Sequence, residues 1–377
     1  MAGNTYSDDF PINGGLGIPF HYGRYGTVYD DVFIAKLSND LTTLLASTYL
    51  GGSGIDRAMA IASSTWSVYV TGITKSTDFP TKDAYDTEPK TGSDDDIFIS
   101  KLSSDLSILV ASTLLRGNDS DVAYSMVLDA AGDVYVAGNT KSSNFPTTNI
   151  YGTSVYTSNN GNIDVFIAKM NGNLKTLLAS TYLGGSGADT EPYLALDKLE
   201  KNVFVTGYTK SADFPIPNKK GSYDASLNGG DGFISKLNGN LTQHLASTFL
   251  GGSSDDSTYA IVIDDASRNV YVTGATFSTD FPTTSEAYDR SLNGYQDVFV
   301  SKFDRTLRKL DPRGDVDRND IVNIADAILA LQVLSGVTPP AGTIITLDAD
   351  VNNESNDVRI DLAEVIYILQ KVAGIRQ

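Results

Sequence analysis

Short apolar runs separated by polar breaks fill most of the chain. In one stretch the runs are Val32–Leu37, Leu44–Leu50, Ala58–Ala62 and Val68–Ile73, and the breaks contain Gly, Asn, Asp and Ser. β-Branched and aromatic residues dominate these runs, which is typical of strands joined by turns. We therefore predict four strands here, paired as two hairpins. Before residue 320 no segment has a sustained helical period, so this part is predicted to be all-β.

The same stretch recurs with a period of about 66 residues. The first copy opens with D-x-F-I-A-K, continues through A-S-T-Y-L-G-G and V-Y-V-T-G, and closes with T-x-S-x-D-F-P. Three further copies repeat these motifs in order with small changes, and a fifth copy has only the opening motif. The copies begin near five aspartates: Asp31, Asp96, Asp164, Asp231 and Asp297. A period this regular predicts stacked or ring-arranged units, because one unit cannot bury its apolar face alone.

The start of the chain, Gly3–Pro11, matches the end of a copy, as in Gly138–Pro146. Two explanations are open. Either this stub joins the fragment that begins at Asp297 and closes a ring, or the chain is part of a longer exported precursor. The first residues have neither a basic start nor an apolar segment, so no signal peptide is visible.

Four antiparallel strands per unit without helices favour β-propeller blades over a parallel β-solenoid or a string of sandwiches. The four motifs in order resemble the SBBP repeat of β-propellers, over about residues 3 to 303. The resemblance implies a propeller body over 1–310. Counting strands gives about eighteen, which predicts about five four-stranded blades that need not all be complete.

Composition narrows the classes of function. The chain has 46 acidic and 28 basic residues, a net charge of −18, so it lacks the basic surface that nucleic acids or anionic membranes require. Cations are the more natural partners. With no cysteine, disulfides, thiol catalysis and thiolate metal sites are excluded. No apolar run approaches the roughly 18 residues of a membrane span, so no membrane insertion is expected.

Acidic residues recur at fixed places in the repeat. One set opens the strands from Asp31 to Asp297, and the other precedes Phe-Pro at Asp9, Asp78, Asp213 and Asp280, with Asn144 in the equivalent position. Turn chemistry explains both sets, because Asx side chains hydrogen-bond the backbone two residues on. A feature of every unit is architectural rather than catalytic. Ca²⁺ held in the blade loops is the alternative.

The two histidines lack the surroundings of a nucleophile. His244 replaces the leucines of the other copies, so we predict that it faces the sheet interior or a contact between blades; His21 lies in a Gly- and Tyr-rich connector. Without a G-x-S-x-G motif a Ser-His-Asp site is not expected, and we predict no catalytic residues. A glycosidase-type carboxylate pair stays open, since such pairing is spatial.

The repeat fails after Lys302, and the chain from 311 to 377 has a different pattern. Apolar residues share a helical face in Ile324–Leu334 and in Leu362–Ala373, and the segments end near Gly336 and Gly374, as helix C-termini prefer. We predict a small α-helical C-terminal domain with a duplicated motif.

An acidic lead precedes each predicted helix. Oxygen ligands at loop positions 1, 3, 5 and 12 and a carbonyl at 7 are what a Ca²⁺ loop needs. In the first lead these are Asp315, Asp317, Asn319, the Ile321 carbonyl and Asp326. With a three-residue insert, the second lead supplies Asp350, Asn352, Asp357, the Arg359 carbonyl and Glu364. Val358 takes the glycine position there, so the second site is predicted to be weak or lost.

Two calcium loops followed by helices, over Gly314 to about Arg376, resemble a dockerin type I module, an EF-hand-like domain. The resemblance implies Ca²⁺ as the cofactor and a cohesin-like or other cell-surface protein as the partner. Its recognition positions fall on Ile324-Ala325 and Leu362-Ala363, which are apolar instead of the common hydroxyl pair. The alternative is an acidic helical hairpin that caps the propeller.

These features predict a secreted or cell-surface, non-catalytic β-propeller that binds glycan or protein and is anchored through a calcium-loaded tail. The alternative is a propeller-type carbohydrate-active enzyme, a glycoside hydrolase or lyase, carried by the dockerin-like module in polysaccharide degradation. Uniform blades favour binding, because a catalytic site needs one asymmetric constellation of residues.

Overall fold

The computed structural model describes residues 1–22, 29–88, 92, 94–217, 219–266, 269–285, 287–307, 328, 329, 331 and 332. The chain divides into two compact units, Met1–Arg308 and Lys309–Gln377. In the second unit, residues 328, 329, 331 and 332 are helical and fall within the predicted first helix. Among the residues described, no helix combines the length and hydropathy needed to cross a membrane.

The first unit is built from five antiparallel sheets, three with four strands and two with three, and strands follow one another in sequence order within each sheet. The first sheet contains β1 (Ala2–Thr5), β2 (Asp31–Leu37) and β3 (Leu44–Leu50). The second contains β4 (Asp56–Ser63), β5 (Ser67–Thr74), β6 (Asp96–Ser103) and β7 (Leu109–Leu115). The third contains β8 (Asp121–Leu128), β9 (Val134–Thr140), β10 (Asp164–Met170) and β11 (Leu177–Leu183). The fourth contains β12 (Asp189–Leu196), β13 (Asn202–Thr209), β14 (Asp231–Asn238) and β15 (His244–Leu250), and the fifth β16 (Asp256–Ile263), β17 (Val270–Thr276) and β18 (Asp297–Phe303).

The all-β prediction, the eighteen strands and the five sheets are confirmed in the described part of the chain. The assignment of strands to sheets was wrong. The four strands that begin at Asp31 were predicted to form one blade, but β2 and β3 belong to the first sheet and β4 and β5 to the second. The reason is physical: a period fixes the spacing of strands, whereas hydrogen bonding decides where one sheet ends.

The N-terminal stub forms a strand, but not the one that would close a ring onto the last fragment. β1 pairs with β2, with Ala2 opposite Ile34 and Thr5 opposite Asp31, whereas β18 pairs with β17. β1 corresponds to β5 in the repeat, and β2 corresponds to β6. Because β5 pairs with the D-x-F strand that follows it, β1 likewise pairs with β2 and lies in a different sheet from β18.

Consecutive sheets pack against each other through the first strand of the later sheet. β4 contacts β1 and β2, β8 contacts β4 to β6, β12 contacts β8 to β10, and β16 contacts β12 to β14. One cluster of buried residues fills each of the four junctions. The junction of the third and fourth sheets, for example, buries Ile167, Val203 and Phe233 completely. The core is therefore a series of inter-sheet layers, consistent with a propeller-like repeat.

The D-F-P connectors are held to the sheets by aromatic stacking. In each copy the phenylalanine of D-F-P packs on the phenylalanine of the next D-x-F strand, with ring centroids 4.4 to 4.7 Å apart. The pairs are Phe10–Phe33, Phe79–Phe98, Phe145–Phe166, Phe214–Phe233 and Phe281–Phe299. This contact brings the polar residues just before Phe-Pro back to the sheet junction.

Candidate functional site

Each junction between sheets brings two buried aspartates together. One opens the D-x-F strand of the earlier sheet, and the other opens the first strand of the later sheet. We call these the junction pairs: Asp31 with Asp56, Asp96 with Asp121, Asp164 with Asp189, and Asp231 with Asp256. All eight side chains belong to residues that are 5% exposed or less. Unpaired carboxylates are rarely buried, so this arrangement needs a physical explanation.

A glycine separates the two carboxylates at three of the junctions. A Cβ on Gly51 would lie 2.7 Å from Asp31 Oδ1 and 3.0 Å from Asp56 Oδ2, so these oxygens are at most about 5.7 Å apart. A Cβ on Gly184 would lie 2.7 Å from Asp164 Oδ1 and 2.7 Å from Asp189 Oδ2. The first residue after the A-S-T-Y-L strand end must therefore be small wherever the pair adopts this geometry.

The second acid of each pair is held by the same two donors. Asp56 Oδ2 accepts hydrogen bonds from the Gly52 N–H at 2.7 Å and from Ser76 Oγ at 2.6 Å. The equivalent donors bind the other three: Gly117 and Ser142 bind Asp121, Gly185 and Ser211 bind Asp189, and Gly252 and Ser278 bind Asp256. The repeat thus fixes the carboxylate orientation from sequence elements on both sides of the junction.

Three of the acids before Phe-Pro bind a distant loop rather than their own turn, whereas Asp9 accepts a hydrogen bond from Ser7 Oγ within its own turn. Asp78 Oδ1 accepts hydrogen bonds from Ser53 N–H at 2.7 Å and from Ser53 Oγ at 2.9 Å, and Asp213 and Asp280 bind Ser186 and Ser253 in the same way. The architectural role is as predicted, but the partner lies 25 to 27 residues earlier and not two residues later.

Burial raises the pKa of six of the junction acids: Asp31, Asp56, Asp121, Asp164, Asp189 and Asp231. Loss of hydration, with a smaller contribution from neighbouring carboxylates, raises the pKa of Asp31, Asp121, Asp164 and Asp231 to about 6 and that of Asp56 to about 7. In six junction acids the Oδ1 atom is buried without a hydrogen-bond partner: Asp31, Asp56, Asp121, Asp164, Asp189 and Asp231. These oxygens are available to a cation or a proton.

A surface cleft of about 550 Å³ breaks the symmetry of the repeat. It is lined by Thr153–Tyr156 of the β9–β10 connector, by Pro215–Pro217 and by Thr242–His244. The Tyr156 hydroxyl and His244 Nδ1 form a 2.9 Å hydrogen bond. The structure thus confirms His244 at a contact between sheets. Burial raises the pKa of Tyr156 to about 12 and lowers that of His244 to about 4, so both side chains are neutral at pH 7.

Every predicted metal-ligand and partner-binding position of the tail lies outside the described residues. The predicted metal ligands are Asp315, Asp317, Asn319, Ile321, Asp326, Asp350, Asn352, Asp357, Arg359 and Glu364, and the predicted partner-binding residues are Ile324, Ala325, Leu362 and Ala363. They remain predictions from the sequence.

Sequence reasoning missed the second acid of each pair and the tyrosine of the cleft. A signal for the acids was present, because an aspartate follows each Y-L or equivalent strand end by six residues, as Asp56 follows Leu50. Arg116, which interrupts the Gly-Gly motif in the second copy, was a further signal. No local pattern marks Tyr156, since only the fold brings it to His244.

No curated protein matches this chain. Among solved structures, the lignostilbene dioxygenase of Pseudomonas brassicacearum is similar at a TM-score of 0.33 and 12% identity, over 65% of this chain and 51% of that enzyme. The chain thus spans about half of the enzyme's length. The family model of the β-propeller repeat matches residues 113–146. This match and the five antiparallel sheets are consistent with a propeller-like repeat.

Proposed function

We propose that this protein is a secreted or cell-surface binding protein. Its propeller is a non-catalytic scaffold, and its C-terminal region is a dockerin-like module that holds Ca²⁺ and docks onto a cohesin-like or other surface protein. The observation that carries the proposal is the use of the repeated acids: they are enclosed at sheet junctions, where they organise backbone and serine donors.

The junction pairs argue against the enzyme alternative at these positions. Carboxyl groups about 5 Å apart are the arrangement of a retaining glycosidase, but such an enzyme must place both groups against a sugar ring. Asp164 and Asp189 are fully buried, and their shared space is narrower than a sugar. Four similar pairs also lack the asymmetry that one reaction centre requires.

The cleft beside Tyr156 and His244 is the proposed binding surface of the propeller. Its described lining residues are all uncharged and combine hydroxyl, amide and imidazole groups with two prolines and an isoleucine. Such a surface suits a neutral polar ligand, because a few fixed hydrogen-bond groups on an apolar wall give orientation and affinity. A glycan is the ligand class that this chemistry favours.

Screening the full chain against a glycan array and titrating the best ligand tests the propeller. The matched variant is His244→Leu, which installs the residue found at this position in the other three complete copies. We expect affinity to fall about tenfold, the loss of one good polar contact, with the melting temperature unchanged. Equal affinity in both proteins would contradict the assignment of the cleft. Release of reducing sugar would favour the enzyme.

Titrating Ca²⁺ into the full chain tests the tail. Five oxygen ligands in the order of a calcium loop, from Asp315 to Asp326, support this part of the proposal. We expect far-ultraviolet circular dichroism to gain helical signal on binding, and the Asp315→Asn, Asp326→Asn double variant to lose that gain. Because the described body consists of strands apart from the three-residue 3-10 helix Lys219–Gly221, a gain of helical signal reports the tail. An unchanged spectrum would overturn calcium-dependent folding of this region.

A further inference from the structure

The four junction pairs differ in the basic side chain that faces the first acid. His21 Nδ1 lies 3.7 Å from Asp31 Oδ2, and Arg116 Nη1 lies 3.7 Å from Asp96 Oδ2. In the part of the chain that the structure describes, no Lys, Arg or His forms an ion pair with the acids of the other two junctions: Asp164, Asp189, Asp231 and Asp256. Two junctions thus have a basic side chain beside the first acid, of which Arg116 is a permanent cation, and two do not.

Arg116 shows that the position between the two acids of a junction can hold a positively charged group. It replaces the first glycine of the Gly-Gly motif, the position of Gly184 and Gly251 in the next two copies. Its guanidinium also binds Asp86, with Nε 3.0 Å from Oδ2. Where the glycine is present, the same place has no side chain, while Asp164 Oδ1 and Asp231 Oδ1 are buried without partners. The copies with glycine therefore lack the positive charge that the Arg116 copy supplies.

We propose that the Asp164–Asp189 and Asp231–Asp256 junctions each bind a hard divalent cation, for which Arg116 substitutes at the Asp96–Asp121 junction. Both carboxylates of each pair then carry their charge, and one divalent ion balances the two. This assignment is separate from the proposed calcium loops of the tail.

The oxygen-rich surroundings fit such an ion. At the Asp164–Asp189 junction, Asp164 Oδ1 lacks a hydrogen-bond partner, and this atom and Asp189 Oδ2 each lie 2.7 Å from the Cβ position of Gly184. The carbonyl oxygen of Gly185 lies nearby, since it and Asp164 Oδ1 are 3.0 and 3.1 Å from the Cβ position of Gly161. No three acidic or histidine side chains converge in the described part of the chain. Carbonyl oxygens and water would therefore complete the shell, as hard cations accept.

Counting bound Ca²⁺ and Mg²⁺ in full-length variants tests the proposal. Metal is measured after equilibrium dialysis, and each variant is compared with the unaltered chain, so ions held by the tail cancel. Arg116→Gly is expected to bind one additional ion, because it recreates the glycine copies. Arg116→Gly with Asp96→Asn is the matched control and is expected to lose that additional ion. Asp164→Asn is expected to bind one ion fewer than the unaltered chain.

Unchanged metal content in both Arg116→Gly and Asp164→Asn would overturn the proposal. If Arg116→Gly does not fold, Asp164→Asn decides alone, since asparagine keeps the size and shape of the buried side chain. A third outcome is that the Asp315→Asn, Asp326→Asn chain loses its bound ions while Asp164→Asn loses none. All metal binding would then lie in the tail, and the proposal of junction sites would equally be overturned.

Discussion

At the scale of single residues, burial changes the acid chemistry of Asp121. Burial, and then Asp96, raise the pKa of its carboxyl from 3.8 to about 6, although the hydroxyl and N–H donors around it oppose the shift. The unfolded chain loses this proton near pH 3.8 and the folded chain near pH 6. Stability from this group is therefore complete at low pH and is lost as the pH rises through about 6.

We predict that Asp121→Asn weakens this pH dependence. In the presence of a metal chelator, the free energy of unfolding of the unaltered chain should fall between pH 4 and pH 6. Asp121 should contribute about 3 kcal/mol to this fall, since one pKa unit is worth about 1.4 kcal/mol. Denaturant titrations at each pH measure the slope. The asparagine variant should show a shallower fall, and an unchanged slope would show that Asp121 titrates normally.

Asp105 provides the control of opposite sign. Hydrogen bonds from Ser103 and Ser107 lower the pKa of this fully exposed carboxyl to about 2. Stability from it is present above its ordinary pKa and is lost as the pH falls toward 2. Asp105→Asn should therefore leave the slope between pH 4 and pH 6 as it is.

At the scale of elements, the tight turn after each D-x-F strand carries a leucine in the left-handed backbone region. The φ angles lie between 54° and 62° at Leu41, Leu106, Leu174, Leu241 and Leu307. This conformation costs a non-glycine residue roughly 1–2 kcal/mol. The last four leucines are at most 1% exposed and fill the junction with the preceding sheet, whereas Leu41, in the first sheet, is 72% exposed. Burial offsets the strain in four turns.

The same substitution should therefore have opposite effects in two turns. Leu41→Gly relieves the strained φ without loss of buried surface and is expected to stabilise by up to about 1 kcal/mol, reduced by the greater freedom of glycine when unfolded. Leu174→Gly relieves the same strain but empties a junction, so a loss of about 2–4 kcal/mol is expected. Thermal and denaturant unfolding measure the stability of the two variants. Equal effects would show that burial of the leucine does not determine the sign of the change in stability.

Elements were the most predictable level. Leu44–Leu50 was predicted with its observed bounds, and Val32–Leu37 needed only Asp31 added, because apolar runs between turn residues report strand extent directly. Leu174 and its equivalents could not be predicted as left-handed, since leucine normally avoids that region. Their burial comes from the neighbouring sheet, which local sequence does not encode.

At the scale of the whole molecule, the repeat period predicted an array of about five sheets but not their boundaries. The strands equivalent to Asp56–Ser63 were correctly recognised as strands, yet the period gives no sign that they open a new sheet. For the same reason the junction pairs were missed: Asp31 and Asp56 meet only because two sheets stack. Tyr156 and His244 lie 88 residues apart and are likewise joined by packing alone.

The described contacts of the fifth sheet and its buried core are complete by residue 307. We therefore predict that the first unit folds without the rest of the chain. Leu307 is fully buried in the junction of the fourth and fifth sheets, and its carbonyl accepts a hydrogen bond from Tyr223 N–H at 3.2 Å. A chain ending at residue 310 keeps these contacts, so its body should melt within a few degrees of the full chain in chelator. A chain ending at residue 303 keeps all eighteen strands but loses Leu307, which should destabilise it by about 2–4 kcal/mol. Differential scanning calorimetry of both truncated chains distinguishes the cases.

If the 1–310 chain were as unstable as the 1–303 chain, residues beyond 310 would be required for the body to fold. The two compact units would then not be independently stable.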